Sequence, residues 1–261
     1  MHGEICIGDA LNPDHPLNQK GGLVSRWLAL PDQQRGVMFR DLCMRNHGVL
    51  TNGPLWQSAM GRTGGFGSLL LDGTNDYVSV GSVQGDHANL TFGAWARLDS
   101  AGSFPMLVAF QTTPSYALEI RGAGGGGTLQ LIVGSRLVTT YGTSDVGTGW
   151  HRWIATTGPT GSALYRDGVS VGSDSTTAES AALQMAIGAR VDGSFVWPGP
   201  VDDIVLASRP WSAAEVAADY AESRQSNPDT LNWIRRPWMA PAVGGVTGSP
   251  WYYHLQQRAA A

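Results

Sequence analysis

The stretch 197–216 constrains the fold of this chain more than any other part of the sequence. A turn rich in proline and glycine leads into the apolar run 201–206, whose β-branched residues are typical of a buried strand. Ser212 is followed three residues later by Glu215, and this spacing is the signature of a capping box at the start of a helix. The stretch therefore predicts a buried strand followed directly by a short helix that ends near residue 220.

Two adjacent carboxylates, Asp202 and Asp203, lie inside the apolar strand. Successive side chains of a strand point to opposite faces, so one of the two is expected to face inward. A buried carboxylate is costly unless it has a partner. The sequence therefore predicts a buried partner for one member of the pair.

Four segments, taken in order, resemble the LamG-like, concanavalin A-type jelly rolls. They are 69–80, 149–156, 164–172 and 197–216. The first resembles the opening hairpin of that family, and the last resembles its closing strand and terminal helix. The resemblance extends from about residue 22 to 222 and implies an all-β fold, a two-sheet antiparallel jelly-roll sandwich with a short C-terminal helix. Since the family hosts many functions, the resemblance alone does not select one.

The length and composition fit one such sandwich with appended segments. The chain has 261 residues, 35 of them glycine and 14 proline, which indicates many tight turns. We expect an N-terminal arm at 1–21, a jelly-roll domain at 22–222 and an extended C-terminal arm at 223–261. For the first arm, a tail without fixed structure is an equal alternative.

The C-terminal arm is unusually aromatic for a chain end, because free tails are usually polar. Aromatic residues are enriched at protein interfaces. We expect the arm to dock on a neighbouring subunit, and packing on its own domain is the alternative. The expected assembly contacts are Trp233, Trp238, Trp251, Tyr252 and Tyr253.

Charge and hydropathy exclude several classes of partner. The formal net charge is −4, so the basic face of a nucleic-acid-binding protein is not expected. No apolar run approaches the ~20 residues of a membrane span. The N-terminus lacks the pattern of a signal peptide, so we expect cytoplasmic synthesis, with the virion as the final location if the source is viral.

Cys6 and Cys43 are expected to be reduced, with a single bridge between them as the alternative.

The sequence gives little support for catalysis. Glycoside hydrolysis needs two carboxylates about 5–9 Å apart, and Glu119 stands alone between Leu118 and Ile120. His151 lies on a predicted strand between tryptophan positions, which favours a structural role. We therefore expect a protein that is not an enzyme.

A structural calcium ion is the cofactor that the resemblance implies. Many relatives hold Ca²⁺ with an aspartate from the closing strand and carbonyl oxygens near the first strand, and Asp202 matches that aspartate. A plain hydrogen-bonded carboxylate is the equal alternative. Asp72, Asn75 and Asp76 form a weaker candidate cluster of oxygen ligands, for which ordinary turn chemistry is the alternative.

Glycan binding would use an aromatic side chain beside hydrogen-bonding groups. The candidates are Trp56, Trp95, Tyr116 and Trp197. In a sandwich each of them is more often a packing residue. The sequence does not select a pocket among them.

Two functional hypotheses follow. The first is a structural or interaction protein, in particular a virion component such as a capsid decoration or tail-associated protein. Its arms would contact neighbouring copies or capsid and tail proteins. The alternative is a carbohydrate-binding or adhesion module, calcium-dependent or not, that recognises surface glycans.

Overall fold

The computed structural model describes residues 22–29, 36–57, 61–62, 67–83, 88–112, 116–125, 127–180 and 183–224. Both predicted arms lie outside the described residues, apart from Ser223 and Arg224, which continue the helix that ends the domain. The division into two arms and one domain therefore stays a prediction.

The described part of the chain is built of strands, with one helix near its C-terminal end. In chain order the elements are β1 (Leu23–Trp27), β2 (Met38–Phe39), β3 (Gly48–Thr51), β4 (Leu55–Gln57), β5 (Ser68–Asp72), β6 (Tyr77–Val83), β7 (Leu90–Arg97), β8 (Met106–Thr112), β9 (Tyr116–Gly122), β10 (Leu129–Val133), β11 (Arg136–Thr140), β12 (Trp150–Gly158), β13 (Gly161–Arg166), β14 (Val169–Asp174), β15 (Leu183–Ile187), β16 (Pro198–Ala207) and α1 (Ala213–Ser223).

These strands form two antiparallel sheets of eight strands each. The first, sheet A, has the order β14-β13-β12-β7-β16-β5-β4, and β1 also pairs with β16. The second, sheet B, has the order β11-β10-β9-β8-β15-β6-β3-β2. Strands that are neighbours in a sheet are often distant in sequence, as in a jelly roll. The predicted all-β sandwich with a C-terminal helix is confirmed.

The core lies between the two sheets. Alternate residues of each strand point into it, as the period of two requires. Phe92 of β7 and Phe110 of β8 are both fully buried and meet edge to face, with ring centroids 5.1 Å apart. This contact joins sheet A to sheet B, because the two strands belong to different sheets.

Helix α1 covers the other face of sheet A. It starts with the predicted capping box, in which Ser212 and Glu215 each bond the other's backbone amide. Val216 is buried against Val205 and Trp211. At its C-terminal end Ser223 accepts a hydrogen bond from the indole nitrogen of Trp95, at 2.8 Å. Residues of the closing strand and of β7 therefore fix both ends of the helix.

Beneath α1 lies a buried cluster of charged side chains, which we call the ion cluster. Asp203 accepts two parallel hydrogen bonds from Arg26, at 2.7 and 2.8 Å. Asp219 of α1 accepts one from Arg152 of β12, at 2.7 Å. Arg152 also donates to the backbone carbonyl of Asp203. The members of the ion cluster are Arg26, Arg62, Arg152, Asp202, Asp203 and Asp219.

A bulge in β16 places both adjacent carboxylates on the side of the ion cluster. The register with β7 shifts between Asp202 and Val205, and Asp203 has a φ of 47°. The prediction of a buried partner is confirmed, but both carboxylates are buried, where strict alternation was expected to turn only one of them inward. The bulge breaks the strict alternation on which that expectation relied.

The charges of the ion cluster hold Asp203 in its ionised form. Burial by itself raises the pKa of a carboxyl group, but the nearby charges of Arg26, Arg62 and Arg152 lower the pKa of Asp203 well below its usual range. Burial likewise lowers the pKa of Arg26, and Asp203 more than reverses this. Each charge is therefore kept by its partners, as buried ion pairs require.

Cys43 is disulfide-bonded in the structure, which contradicts the expectation of two reduced cysteines. Cys6, the other cysteine of the sequence, lies outside the described residues. Within the ranges given above, the structure contains no helix that is both long enough and apolar enough to cross a membrane.

Asp203→Ala is expected to destabilise the fold by about 3–5 kcal/mol, because it leaves buried guanidinium groups without their counter-charge. The matched control is Asp99→Ala, which removes the carboxylate of the exposed Arg97–Asp99 pair and should cost about 1 kcal/mol or less. Chemical denaturation of both variants measures the difference. Equal losses would show that the ion cluster does not stabilise the fold.

Acid is expected to weaken the start of α1. A hydrogen bond from Arg209 and further bonds from Ser212 outweigh the opposing effect of burial and lower the pKa of Glu215 to about 2. Because the folded pKa lies below the unfolded one, the stabilisation is complete above about pH 4.5 and is lost as the pH falls towards 2.

Glu215→Gln tests this contribution. Since the Arg209–Glu215 pair is partly exposed, solvent reduces the effect to on the order of 1 kcal/mol. Thermal melts between pH 2 and 7, followed by circular dichroism, should show a smaller loss of stability below about pH 4.5 for the variant. The same acid sensitivity in the variant and in the parent would contradict the assignment.

Candidate functional site

A polar cluster lies on the face of sheet B that points away from the core. Its central residue is Glu119 of β9. The neighbouring residues Leu118 and Ile120 are both in the core, so the side chain of Glu119 points to the opposite face. Only 2% of Glu119 is exposed. A carboxylate in this position requires hydrogen bonds or opposite charges nearby.

Neighbouring side chains supply both. The amide nitrogen of Gln111 donates to one oxygen of Glu119 at 3.1 Å, and Arg121 donates to the other at 3.4 Å. The charge of Arg190 also acts on Glu119. Burial raises the pKa of Glu119, and the two arginines and Gln111 offset this only in part, so the pKa stays above its usual value.

The two arginines keep unused hydrogen-bonding capacity. The Nε atoms of Arg121 and Arg190 are buried and have no hydrogen-bond partner among the described residues. An unpaired buried donor costs about 1–3 kcal/mol, and such groups are uncommon in folded proteins. Ordered water or the oxygen of a ligand would satisfy these two donors.

Two exposed phenylalanines flank this cluster. Phe104 and Phe195 are 39% and 38% exposed, and their ring centroids are 6.4 Å apart in an edge-to-face arrangement. The guanidinium of Arg121 lies 5.0 Å from the ring centroid of Phe104, and that of Arg190 lies 5.7 Å from Phe195. We call these two rings the aromatic platform.

Both rings are held by a strained backbone. The φ angles of Phe104 and Phe195 are 57° and 56°, in the left-handed region that bulky residues rarely adopt. Such strain persists only where the surroundings impose it, and it is concentrated at functional sites. A Cβ added to Gly124 would lie 2.9 Å from the Phe104 ring, so this ring rests directly on a glycine.

Hydrogen bonds fix the loop that carries Phe195. The carboxylate of Asp192 accepts a bond from the backbone amide of Ser194 at 2.9 Å, and hydrogen bonds from Ser194 lower the pKa of Asp192. The backbone amide of Arg190 donates to Ser194, and that of Met106 donates to Phe195, both at 2.8 Å. The second ring is therefore held in place before any ligand arrives.

A cleft of about 320 Å³ opens beside the platform and shares Phe195 with it. Three connections form its walls: the β5–β6 turn, the β7–β8 loop and the β15–β16 loop. No charged residue is among its lining residues, which are Gly73, Thr74, Ser100, Ala101, Gly102, Ser103, Gly193, Ser194, Phe195, Val196 and Pro198.

The aromatic residues that the sequence suggested for glycan binding are mostly packing residues. Trp95 is buried beneath α1, and Trp197 belongs to the core. Trp56 packs against the core and meets Phe39 edge to face. The side chain of Tyr116 lies outside the described part of the structure. The packing alternative therefore holds for the three tryptophans.

Phe104 and Phe195 were not among the residues predicted from the sequence. Each of them ends a Gly-Ser-Phe tripeptide, at 102–104 and at 193–195. An aromatic residue directly after two turn-forming residues is unusual, because turns are generally polar. The repeat of this tripeptide is the signal that could have identified the platform.

Asp72, Asn75 and Asp76 form the turn of the β5–β6 hairpin. One carboxylate oxygen of Asp72 accepts hydrogen bonds from the backbone amides of Thr74, Asn75 and Asp76, at 2.8, 3.1 and 3.3 Å. Burial by itself would raise the pKa of Asp72, but these bonds together lower it below its usual value, whereas burial and the charge of Asp72 raise the pKa of Asp76. The geometry is that of the turn-chemistry alternative, and calcium binding here stays a prediction.

The surroundings of Asp202 do not fit a calcium ion. One of its oxygens accepts a hydrogen bond from the backbone amide of Ala29 at 3.0 Å, and the other lies 3.4 Å from the guanidinium of Arg62. Calcium needs six to eight oxygen ligands, whereas both of these neighbours are hydrogen-bond donors. Calcium at Asp202 stays a prediction, and it would require Arg62 to move.

Arg62 supplies the positive charge at this position. It also lies 2.9 Å from Asp203, and its guanidinium stands 5.4 Å from the ring centroid of Trp95. Burial and the charge of Asp203 raise the pKa of Asp202, and the charge of Arg62 partly offsets this. The positive charge beside Asp202 and Asp203 is thus supplied by an arginine of the chain, in the place where a calcium ion was predicted.

Thr148, His151 and Asp167 are arranged like a nucleophilic triad. His151 contacts Asp167 at 2.7 Å through Nδ1 and Thr148 at 3.0 Å through Nε2. However, Arg166 also donates to Nε2, at 2.9 Å, and so occupies the lone pair that a general base needs. This geometry favours the structural role that was expected for His151.

The predicted assembly contacts lie outside the described residues. They are Trp233, Trp238, Trp251, Tyr252 and Tyr253.

The sequence matches the model of one known protein family. The model of the family Laminin_G_3, described as the concanavalin A-like lectin/glucanases superfamily, matches residues 72–217. A search of curated proteins found no match to the sequence.

Several solved structures share the fold. Domain 4 of the extracellular GH43 arabinanase AbnA from Geobacillus stearothermophilus, solved with arabinotriose, superposes with a TM-score of 0.64 at 12% identity. That match covers 76% of this chain and 97% of the other. The sialidase of Trypanosoma rangeli with sialic acid gives 0.61 at 14% identity and covers 85% of this chain. The binding domain of Paraclostridial Mosquitocidal Protein 1 gives 0.59 at 14% identity and covers 77%.

The chain spans nearly all of the arabinanase domain, but only 37% of the sialidase chain and 52% of the mosquitocidal binding domain. At these identities the likeness shows the fold alone. Together with the family match over 72–217 and the two-sheet sandwich, it places the chain in the concanavalin A-like lectin/glucanase superfamily.

Proposed function

We propose that this protein binds carbohydrate on the outer face of sheet B. The observation that carries the proposal is the aromatic platform, in which Phe104 and Phe195 are exposed, strained and backed by arginines. Exposed aromatic rings in a rigid setting provide contact area at little cost in entropy. Such rings suit the flat apolar faces of sugar rings.

The polar cluster supplies the complementary hydrogen bonds. The side chains of Glu119, Gln111, Arg121 and Arg190 offer both acceptors and donors. Sugar hydroxyls act as donor and acceptor at once, so they can bond to an ionised carboxylate and to a guanidinium together. Charge-assisted hydrogen bonds of this kind are stronger than neutral ones. The buried Nε donors of the two arginines mark where ligand oxygens or bridging water would be held.

Structures of the same fold support a carbohydrate ligand. The arabinanase domain was solved in complex with arabinotriose and the sialidase in complex with sialic acid. A third is named as a binding domain. The first two proteins support the class of ligand proposed for this chain, and the binding experiment identifies the sugar.

We propose binding rather than hydrolysis. The residues paired with Glu119 on the neighbouring strands are Ala109 and Ile132, so no second carboxylate stands directly beside it across either strand. Two carboxylates about 5–9 Å apart are required for the usual glycosidase mechanisms. Glu119 is thus better suited to hold a hydroxyl group than to act in a catalytic pair.

The role as a particle component stays a prediction. It depends on the arms, and their aromatic contacts lie outside the described residues. A displayed glycan-binding domain is compatible with that role, because the platform is on the sandwich and not on the arms.

Phe195→Ala is expected to weaken glycan binding by about tenfold or more, since the loss of a central aromatic contact typically costs about 2 kcal/mol. A glycan array identifies the ligand, and isothermal titration calorimetry measures both affinities. Leu55→Ala is the control, because Leu55 is an exposed apolar residue of sheet A. An array with no bound glycan, or equal affinity for Phe195→Ala and the parent, would overturn the proposed function.

Binding is also expected to weaken in acid. The loss should begin at a higher pH than it would if Glu119 had the pKa of an ordinary glutamate. The pKa of Glu119 is raised by burial, so this carboxylate becomes protonated, and loses acceptor strength, earlier as the pH falls. Titrations between pH 4 and 8 should show this loss in the parent and not in Glu119→Gln. Melting temperatures measured at each pH control for unfolding, and identical pH profiles would contradict a role for Glu119.

A further inference from the structure

We propose that the ligand is an extended oligosaccharide, and that a neutral sugar at one end of it lies in the cleft beside Phe195. This inference rests on the proposed function and names the kind of carbohydrate. It follows from the geometry of two neighbouring sites, the polar cluster with its platform and the cleft, that share one aromatic ring.

The lining of the cleft is polar and uncharged. It offers the hydroxyl groups of Thr74, Ser100 and Ser103 together with backbone groups, and none of its residues is charged. A charged sugar in such surroundings would lose water without gaining a counter-charge, which is costly. A neutral sugar can exchange its bonds with water for bonds to hydroxyl and peptide groups. The cleft therefore suits an uncharged unit.

The cleft measures about 320 Å³, at the lower end of the range of about 300–1,000 Å³ for ligand pockets. Such a volume suits the end of a chain rather than a whole oligosaccharide. The remainder of a longer ligand must lie outside the cleft, and Phe195 forms the wall over which it would leave.

Phe195 belongs to the cleft and is also one of the two rings of the platform. Phe195 meets Phe104 edge to face, Arg190 lies over the ring of Phe195, and Arg121 lies over the ring of Phe104. A chain that leaves the cleft over Phe195 therefore passes directly to the charged part of the site. Its further units would meet Glu119 and Gln111.

The loops between the two parts are fixed in advance. Gly193 has a φ of 80°, and the amide of Ser194 is held by Asp192. The ring of Phe195 is thus placed between the cleft and the polar cluster before binding. A preformed path of this kind lowers the entropy lost on binding, because the loops need not become ordered.

The experiment measures affinity as a function of ligand length. Calorimetric titrations use arabinose, arabinobiose, arabinotriose and arabinohexaose, together with the corresponding series of the sugar identified on the array. The parent is expected to bind the longer members about tenfold or more tightly than the single sugar. Thr74→Trp fills the cleft from the β5–β6 turn and should abolish the gain in affinity with ligand length. Its affinity for the shortest ligand that binds should stay within about twofold of that of the parent.

Two further variants keep the test decisive. Ser100→Trp fills the cleft from a different wall and should act like Thr74→Trp. Ser170→Trp, at an exposed serine of β14 in sheet A, is the matched control and should behave like the parent. Melting curves confirm that all three variants are folded.

The outcomes separate the two proposals. Suppose that the glycans bind through Phe195, but that affinity does not rise with ligand length, or rises as much in both cleft-filling variants as in the parent. The extended site is then overturned and the proposed function stands. If no glycan of any length binds, the proposed function fails and the extended site fails with it. A gain with length that both cleft-filling variants lose supports the inference.

Discussion

The bidentate pair between Arg26 and Asp203 is the interaction on which much of this fold depends. It joins the first strand to the closing strand, whose residues are separated by 177 positions in the sequence. Arg152 extends the pair to β12, and Asp219 extends it to the helix. Because every one of these charges is buried, removal of one leaves the others without compensation. The ion cluster thus specifies where the helix lies on sheet A, whereas the apolar core specifies how the two sheets face each other.

The candidate site is built on the opposite side of the molecule from this cluster. Its floor is formed by strands of sheet B, with Glu119 between two core residues, and its rings are supplied by two loops. The strands fix the polar groups with the precision of a regular sheet. The loops add strained aromatic residues that a sheet could not present at that angle. The ion cluster and the candidate site therefore occupy different parts of one sandwich.

Much of the fold could be predicted because local patterns were unambiguous. The capping box of Ser212 and Glu215, the apolar closing strand and the hairpin turn at Asp72 each had a signature with one structural meaning. The bulge at Asp203 could not be predicted, because a single strand does not reveal the register of its partners. The partners Arg26 and Arg62 were equally hidden, since they are distant in sequence and come together only in the fold.

The site itself was harder to find for a related reason. Glu119 was visible in the sequence as an isolated acidic residue, but its partners Gln111, Arg121 and Arg190 come from two other positions in sheet B and from a loop. The sequence offered three tryptophans and a tyrosine as candidates for glycan binding, yet large aromatic side chains of a sandwich more often pack inside it than lie on its surface. The exposed aromatic residues of the site are instead Phe104 and Phe195, which lie in loops.

The repeated Gly-Ser-Phe tripeptide has a consequence for how such a protein can change over time. Both copies occupy connections, at 102–104 and 193–195, and connections accept substitutions and insertions more readily than strands do. A change of one residue there would alter the spacing or tilt of a ring without disturbing the ion cluster or the core. The outer loops of this scaffold can therefore be reshaped while its folding remains intact.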